Sequence, residues 1–343
     1  MLLVENHPLD ALNTFGIAAS ARFYVEAETE EECRAVLQSE LADRYPVVIL
    51  GGGSNVIFAG DLDALVIRPC LRGIRLLEEQ GDTVIIEAMA GEVWHEFVRH
   101  CLQQGWYGLE NLSLIPGSVG AAPIQNIGAY GVEITDVFHS LTAINIETGE
   151  ACEFAHEDCR FAYRDSVFKQ EARDRFLITR VRFRLSRQPS LYMAYGDIRS
   201  ELAVEGIADP TPLQLSDAII AIRQRKLPNP AVLGNAGSFF KNPVIPHAQF
   251  DAVKAAFPDV VAYPQEQGVK LAAGWLIEQA GWKGRALGPV GAYEKQALVL
   301  VNLGGACGAD VLKVARAIQS DVNKRFGVDL EMEPRVYGNE PAD

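Results

Sequence analysis

The segment formed by residues 114–131 places the tightest limits on how this chain can fold. Its four glycines and two prolines interrupt any continuous helix or strand, and its small side chains leave the main chain open to close approach by a ligand. No charged side chain lies between Ile115 and Tyr130. An anion held here would therefore be held by main-chain N–H groups, Ser118 and Asn126, as in a backbone nest. A glycine-rich connector between strands would have the same composition. We call this segment the glycine loop.

Charge and length exclude several classes of protein. The 343 residues, 48% apolar and 22% charged, are typical of a folded protein with two or three domains. The formal net charge of −14 argues against non-specific binding to nucleic acid or to an anionic membrane, so an anionic ligand would need a local cationic pocket. The N-terminus lacks the features of a signal peptide, and no apolar run approaches the ~18 residues of a membrane span. We expect a cytoplasmic protein.

Metal and disulfide chemistry are not expected. The six cysteines form no C-x-x-C pair and suit scattered, reduced thiols. His95 and His100 resemble a metalloprotease pattern, but a five-residue spacing places the two side chains about 140° apart on a helix. The sequence therefore predicts no metal site.

A second glycine-rich stretch, residues 51–55, follows a predicted strand at residues 46–50. A Rossmann fingerprint would need a glycine at Val56 and a helix after it, whereas residues 56–58 read as another strand. The sequence therefore disfavours a classical Rossmann loop and is compatible with a phosphate cradle between two strands.

The other predicted elements follow from hydrophobic periodicity and capping signals. Thr29 is expected to cap a helix that runs to residue 41, and Thr211 with Pro212 a helix that runs to residue 225. Val93, Phe97 and Cys101 are expected on one buried helix face. The remaining helices are predicted at residues 92–104, 270–279 and 310–326, and the strands at 21–27, 83–89, 141–146, 150–154, 177–185, 297–302 and the tail. Short links predict a mainly antiparallel sheet for the central strands.

Basic residues gather at the end of the helix predicted at residues 211–225. Arg223, Arg225 and Lys226 occupy its last turn and the residue that follows. These cations would be explained by their favourable interaction with the helix dipole alone. The alternative hypothesis is that they bind an anion.

Seven motifs occur in one order along the chain, and together they carry a resemblance to a known family. Each motif alone is weak, and the series extends over residues 13–337. They are Gly-Gly-Gly-Ser-Asn at 51–55, Ile-Pro-Gly at 115–117, Ile-Gln-Asn-Ile-Gly-Ala-Tyr-Gly at 124–131, Tyr-Arg-Asp-Ser at 163–166, Gly-Asn-Ala-Gly-Ser-Phe-Phe-Lys-Asn-Pro at 234–243, Val-Lys-Leu-Ala-Ala-Gly-Trp-Leu-Ile at 269–277 and Leu-Glu-Met-Glu at 330–333. The chain resembles the UDP-N-acetylenolpyruvoylglucosamine reductases of bacterial peptidoglycan synthesis.

The resemblance implies an α+β fold. It consists of a non-Rossmann FAD-binding domain of the vanillyl-alcohol-oxidase/PCMH type, made of two α+β subdomains, and a C-terminal α+β substrate-binding domain. The expected boundaries are residues 1–70 with the tail 327–343 for the first subdomain, 71–210 for the second, and 211–326 for the substrate-binding domain. The implied partners are non-covalent FAD, NADPH and a UDP-sugar enolpyruvyl ether, and the implied protein is a monomer that binds neither nucleic acid nor membrane.

The implied reaction needs a cation and two acids. NADPH reduces FAD, and hydride then reaches the enolpyruvyl ether, leaving negative charge beside the substrate carboxylate. By resemblance Arg164 binds that carboxylate, where preorganised donors matter most. Ser238 by resemblance donates the proton to the resulting carbanion. The alternatives are an ion pair of Arg164 with Asp165, and Ser238 as a turn former.

The second acid is assigned by counting along the tail. The family pattern has a proline between two glutamates, whereas here Pro334 follows them. Counting without a gap makes Glu333 the catalytic glutamate, while alternation along a strand keeps Glu331 as its rival.

The resemblance also implies the binding residues. Those expected at FAD are Gly51, Gly52, Gly53, Ser54, Asn55, Val56, Pro116, Gly117, Ser118, Gln125, Asn126, Ile127, Gly128, Tyr130, Gly131, Arg223 and Arg335. Those expected at the substrate are Tyr195, Lys226, Asn242, Tyr263, Lys270 and Gln296. In longer members a loop like the one with Tyr195 folds over the nucleotide. Ala121 and Ala122 replace a Gly/Ser-rich pair common in the family, which should alter packing more than binding.

Two other functions compete with the reductase. A flavin oxidase using dioxygen would release peroxide and usually carry covalent FAD, but the glycine loop has no histidine for such a linkage. A catalytically silent nucleotide-binding module is disfavoured because Arg164, Ser238 and Glu333 all keep the residue types that the reduction requires.

Overall fold

The computed structural model describes residues 1–338 as a series of short strands and helices. The strands are β1 (Leu3–Pro8), β2 (Ser20–Ala27), β3 (Val47–Ile49), β4 (Val56–Phe58), β5 (Leu62–Pro69), β6 (Ile74–Gln80), β7 (Thr83–Met89), β8 (Gly128–Ala129), β9 (Val132–Glu133), β10 (Phe138–Asn145), β11 (Ala151–Ala155), β12 (Phe176–Ser186), β13 (Asn235–Ser238), β14 (Val244–Ile245), β15 (Ala262–Gln265), β16 (Gly268–Leu271), β17 (Ala286–Leu287), β18 (Val290–Ala292), β19 (Val299–Asn302) and β20 (Arg335–Tyr337). The α-helices are α1 (Glu30–Leu37), α2 (Glu40–Arg44), α3 (Trp94–Gln103), α4 (His156–Cys159), α5 (Gly196–Val204), α6 (Pro212–Lys226), α7 (His247–Ala256), α8 (Ala273–Gln279) and α9 (Gly308–Phe326).

The chain forms two compact units, each of which draws on separate parts of the sequence. The first consists of Met1–His7, Ala21–Gly52 and Asp63–Arg225, and the second of Pro8–Ser20, Gly53–Leu62 and the chain from Lys226 onward. The boundaries expected at residues 70, 210 and 326 stay predictions.

The first unit is built on an antiparallel sheet with strand order β11-β10-β12-β7-β6. This arrangement confirms the antiparallel sheet predicted for the central strands. Trp94 and Phe97 of α3 pack on Phe183 of β12, with ring centroids 5.9 and 4.9 Å from it. A second sheet, of order β1-β2-β5-β3, has β3 parallel to β5. The hydrophobic face of α3 and the five-stranded sheet thus share one hydrophobic core.

The second unit combines small sheets with α9. Its sheets have the orders β13-β19-β18-β17, β14-β16-β15 and β20-β4, the last pair being parallel. Helix α9 buries Val311, Val314 and Ile318, and it ends at Gly327 in the left-handed conformation (φ 66°). After this turn the tail leads to β20, which pairs with β4.

The predicted cap at Thr29 is confirmed, and three predictions about helices are wrong. Thr29 caps α1 by accepting a hydrogen bond from Glu32 N, but the helix breaks at Ser39 and resumes as α2. Val93 is the N-cap of α3 and is 38% exposed, so it does not share the buried face of Phe97. Lys270 lies in β16, because pairing with β14 and β15 keeps residues 268–271 extended, and α8 begins only at Ala273.

Within the described part of the chain, no helix combines the length and apolarity that crossing a membrane requires.

Candidate functional site

The first half of the glycine loop is fixed by the main chain that joins β7 to α3. Gly120 N donates to Ala90 O, Val119 N to Glu92 O, and Trp94 N to Gly117 O, at 2.9, 2.9 and 3.0 Å. A Cβ on Gly120 would lie 2.5 Å from the Cβ of Ala90. The loop therefore needs glycine where it crosses this segment, and it continues as a 3-10 helix over Val119–Gln125.

Two glycine stretches meet in the first unit. A Cβ on Gly52 would lie 2.9 Å from Gly117 Cα, and one on Gly51 would lie 2.8 Å from Ser118 Oγ. The main-chain N–H groups of these four residues donate to no acceptor among residues 1–338. The two stretches thus bring together main-chain donors that have no protein acceptor, as in an anion-binding nest.

Asn126 shapes the glycine loop from inside. It adopts the left-handed conformation at φ 46°, and its side chain is 1% exposed. Its Nδ2 donates to Glu133 Oε2 and Ala162 O at 2.8 and 3.0 Å, while its Oδ1 accepts from Thr135 N at 3.1 Å. The amide expected to help hold an anion is therefore committed to protein partners.

Arg164 lies against the glycine loop. It sits in a turn at φ 55°, and its Nη2 donates to Gly128 O at 2.7 Å. Its guanidinium also lies 5.5 Å from the centre of the Tyr163 ring. The oxygens of Asp165 accept hydrogen bonds from Ser166 N and from Gln170 Nε2. Arg164 and Asp165 therefore have separate hydrogen-bond partners, and the bond to Gly128 O holds the Arg164 guanidinium against the glycine loop.

Arg223 is a second cation in the first unit. Its Nε is buried and has no hydrogen-bond partner among the described residues. Burial lowers the pKa of its guanidinium, and the neighbouring Arg164 lowers it further, against an opposing effect of Tyr130. Arg225, by contrast, pairs with Glu201 at 2.6 Å. The cluster at the end of α6 therefore divides into a surface ion pair, Arg225 with Glu201, and the partly buried guanidinium of Arg223.

His95 and Asn111 support the site without having been expected there. His95 Nδ1 accepts from Leu114 N at 2.9 Å, where the glycine loop begins. Asn111 Nδ2 donates to Tyr130 O and to Tyr192 O, each at 3.0 Å. No short sequence pattern marks Asn111, since its partners are distant in sequence, and the pattern that includes His95 resembles only a metal site.

Tyr195 stands at the start of α5. It is 47% exposed, and its ring contacts that of Tyr130 edge-on with centroids 5.9 Å apart. The structure thus brings this substrate-binding candidate against the glycine loop.

In the second unit, the tail runs beside the turn that carries Ser238. Ser238 ends β13 and is exposed, after Gly237 at φ 69°. Glu333 N donates to Phe239 O, and Lys241 N to Glu331 O, both at 2.9 Å. The carboxylate of Glu331 pairs with Lys241 Nζ at 2.6 Å and is 69% exposed. Of the two candidate glutamates, Glu333 is thus the one held at the residue after Ser238.

The second half of the 51–55 loop is also held by the tail. A Cβ on Gly53, at φ 61°, would lie 1.9 Å from Leu12 O, so only glycine fits. Arg335 N donates to Asn55 O at 3.0 Å, and β20 pairs with β4 from Val56 onward. The guanidinium of Arg335 lies 4.4 Å from the Tyr337 ring centre. Residues 12–14 therefore hold Gly53, and the tail holds Asn55 and β4.

Several substrate-binding candidates surround the start of α8. Asn242 Oδ1 accepts from Ala273 N at 2.9 Å, and Gln296 Oε1 would lie 3.0 Å from a Cβ on Gly274. Tyr263 and Lys270 are register partners on β15 and β16. The second unit thus groups these four polar residues, and it also contains Lys226, the last residue of α6.

Family models match both parts of the chain. A model described as FAD binding domain matches residues 21–155, and one described as UDP-N-acetylenolpyruvoylglucosamine reductase, C-terminal domain matches residues 229–337. The crystal structure of the UDP-N-acetylenolpyruvylglucosamine reductase from Thermus caldophilus aligns with a TM-score of 0.67 and 24% identity, covering 98% of each chain. The predicted fold class, an FAD-binding domain of the vanillyl-alcohol-oxidase/PCMH type with a C-terminal α+β domain, is confirmed.

Curated relatives match over nearly the full length. The UDP-N-acetylenolpyruvoylglucosamine reductase of Pseudomonas savastanoi pv. phaseolicola is 56% identical over 330 residues, which cover 96% of this chain and 97% of the relative. The reductase of that name from Pseudomonas aeruginosa is 54% identical over 336 residues, 98% and 99% of the two chains. The one from Azoarcus sp. is 56% identical, with 97% of each covered. This chain therefore belongs to the family of the UDP-N-acetylenolpyruvoylglucosamine reductases.

Proposed function

We propose that this protein reduces the enolpyruvyl ether of UDP-N-acetylglucosamine to UDP-N-acetylmuramate, with FAD as hydride carrier and NADPH as donor. Membership of the reductase family, at 56% identity over 330 residues, is the observation that carries the proposal. FAD, when bound, accepts hydride from the nicotinamide and delivers it to the substrate. The residues of the chain bind and orient both molecules and supply the charges and protons.

The donors of the first unit suit the diphosphate of FAD. Gly51, Gly52, Gly117 and Ser118 offer main-chain N–H groups that no described acceptor uses, and their close packing leaves no room for larger side chains. Backbone donors hold phosphate without a local charge, which fits a loop with no charged side chain between residues 115 and 130. Asn126, whose amide is engaged with protein partners, is assigned to the site as a residue that shapes the loop. The other predicted cofactor contacts are kept: Gly53, Ser54, Asn55, Val56, Pro116, Gln125, Ile127, Gly128, Tyr130, Gly131, Arg223 and Arg335.

Arg164 is assigned to the substrate carboxylate. Its bond to Gly128 O fixes the guanidinium before the substrate arrives. A guanidinium can make a forked pair with the two oxygens of a carboxylate. Negative charge that develops beside the carboxylate is then stabilised by a donor already in place.

Ser238 is assigned as the proton donor and Glu333 as the second acid. The Ser238 hydroxyl is exposed at the end of β13, where it can approach a bound ligand. The main-chain bond from Glu333 to Phe239 keeps that glutamate beside the serine turn, whereas Glu331 is engaged with Lys241. This arrangement favours Glu333 over its rival.

The UDP-sugar is assigned to six polar residues. Tyr195 contributes from the first unit, and the second contributes Lys226, Asn242, Tyr263, Lys270 and Gln296. The positive charges of Lys226 and Lys270 offset the diphosphate on a protein with a net charge of −14.

The proposal extends to the setting of the enzyme. The enzyme acts in the cytoplasm as a monomer, and it binds neither nucleic acid nor membrane. The net charge of −14 supports the absence of these two anionic partners. Light scattering of the purified protein at several concentrations tests the monomer, and a dimer mass throughout would contradict it.

The decisive assay follows NADPH oxidation by the purified flavoprotein. Adding enolpyruvyl-UDP-N-acetylglucosamine should start sustained NADPH consumption and yield UDP-N-acetylmuramate by mass spectrometry. Peroxide release from an alcohol or a reduced sugar, without substrate-dependent NADPH turnover, would instead identify an oxidase. A preparation that takes up no flavin would leave only the silent nucleotide-binding module.

A further inference from the structure

The segment that carries Tyr195 is joined to the glycine loop through the side chain of Asn111. Asn111 is 3% exposed, and its Nδ2 donates to Tyr130 O in the glycine loop and to Tyr192 O three residues before Tyr195. Both distances are 3.0 Å. A carboxamide nitrogen has two hydrogens to donate, so one side chain can satisfy the two carbonyls together.

Close packing accompanies these hydrogen bonds. The Tyr192 ring lies so near Gly131 that a Cβ there would be 2.2 Å from it, and the Tyr195 ring meets the Tyr130 ring edge-on. Gly131 itself is in the left-handed region, at φ 83°. The backbone of the glycine loop and that of the tyrosine segment therefore depend on each other's positions.

A further polar contact of the tyrosine segment is local. Arg199 Nε donates to Met193 O at 3.2 Å, but Arg199 belongs to α5, which continues directly from the segment. This bond moves with the segment and does not attach it to the glycine loop. Asn111 therefore supplies directional bonds that cross from one to the other.

We propose that Asn111 is a positioning residue for substrate binding, whose amide fastens the Tyr192–Tyr195 segment to the glycine loop and so presets Tyr195 for the nucleotide sugar. This inference rests on the proposed function, in which the glycine loop contacts FAD and Tyr195 contacts the UDP-sugar. Without the amide, the segment would have to be ordered by the substrate itself, and apparent affinity falls by the fraction of molecules not already in the competent arrangement.

Asn111→Ala removes both donors, and Asn111→Ser keeps one hydroxyl that can serve a single carbonyl. The matched control is Asn145→Ala, which removes an asparagine of the same unit whose Oδ1 accepts from the nearby turn at Glu147 and Thr148. Should the alanine variant fold poorly, the serine variant carries the test alone.

Limited chymotrypsin digestion of the FAD-loaded enzyme is the first readout, since this protease cuts after aromatic residues. Cleavage after Tyr192 and Tyr195, followed by mass spectrometry, should be about tenfold faster in Asn111→Ala and intermediate in Asn111→Ser. The rate in Asn145→Ala should match the wild type. This readout needs no turnover, so it decides on the fastening even if the proposed reaction fails.

Steady-state kinetics are the second readout. The KM for enolpyruvyl-UDP-N-acetylglucosamine should rise about tenfold in Asn111→Ala, while kcat, the KM for NADPH and the FAD content stay within about twofold of wild type. Cleavage at the wild-type rate would overturn the proposal. So would loss of FAD, or an equal rise of both KM values, because Asn111 would then only build the glycine loop.

Discussion

His95 accepts a hydrogen bond at its Nδ1 from the main-chain N–H of Leu114, at 2.9 Å, where the glycine loop begins. Leu114 is itself in the left-handed conformation at φ 57°, which is unfavourable for a leucine. The imidazole can accept this bond only when Nδ1 carries no proton. The entry of the glycine loop is therefore tied to the charge state of one histidine.

Acid should destabilise the protein through this contact. Burial lowers the pKa of His95 below the ordinary value of 6.5, helped by the charges of Arg99 and Arg223. Unfolded chains therefore take up a proton on this residue more readily than folded ones once the pH falls below 6.5, so the free energy of unfolding decreases there. Urea denaturation of wild type and His95→Gln at pH 7.5 and 5.5 measures this. The variant, which keeps an acceptor but does not titrate, should lose less stability on acidification. An identical loss would refute the assignment.

Replacing Arg164 should impair the half-reaction with the UDP-sugar selectively. Arg164→Ala is expected to lower kcat/KM for the enolpyruvyl substrate by roughly 10²–10³, and Arg164→Lys by less, since ammonium lacks the forked geometry. Stopped-flow reduction of the flavin by NADPH should be unchanged. Arg160→Ala is the control, because Arg160 is an exposed arginine paired with Glu171 on the surface. Slowing of both half-reactions would indicate that Arg164 only supports the loop.

Ser238→Ala should likewise impair only the half-reaction with the enolpyruvyl substrate. NADPH still reduces the flavin, while reoxidation by the enolpyruvyl substrate slows by roughly 10²–10⁴, the usual contribution of a placed proton donor. Ser320→Ala, on the exposed side of α9, is the control and should behave as wild type. If both half-reactions fell equally, Ser238 would be a turn former.

The two tail glutamates should differ sharply. Glu333→Gln is expected to abolish most turnover, whereas Glu331→Gln removes a surface pair with Lys241 worth less than about 1 kcal/mol and should leave kcat unchanged. Steady-state assays of both variants, beside their urea midpoints, make the comparison. A larger loss in Glu331→Gln would transfer the catalytic role to Glu331.

Two glycines with nearly the same backbone angle should respond differently to alanine. Gly53 (φ 61°) would place a Cβ 1.9 Å from Leu12 O, whereas Gly81 (φ 59°) has no heavy atom within 4 Å of that position. Gly81→Ala should cost only the backbone strain, about 1–2 kcal/mol. Gly53→Ala should cost more than about 4 kcal/mol and reduce FAD content. Chemical denaturation and the flavin-to-protein ratio test this, and equal losses would contradict the steric argument.

Local patterns in the sequence predicted most elements that local physics controls. Thr29 caps α1 as expected, and the short links between β10, β11 and β12 correctly required antiparallel pairing. Lys270 was misassigned to a helix because its strand depends on partners at residues 244–245 and 262–265, which periodicity within one window does not reveal.

The supporting residues of the site were harder to predict for the same reason. Asn111 bonds to residues 19 and 81 positions away, and His95 to one 19 positions away. Neither spacing belongs to a helix or a turn, so no short motif marks them. The catalytic and binding roles came from the ordered motifs of the family, and they stay predictions until the variants above are measured.

Strand β20 has a consequence for the order of events during synthesis. Residues 335–337 pair with residues 56–58, and Arg335 fixes Asn55, yet the ribosome makes β4 long before β20. Chains emerge from their N-terminus and fold as their parts become available. The contacts of the tail with Asn55 and β4 can therefore form only when translation is almost finished. We expect nascent chains arrested before residue 335 to retain flavin poorly, whatever else in them has already folded.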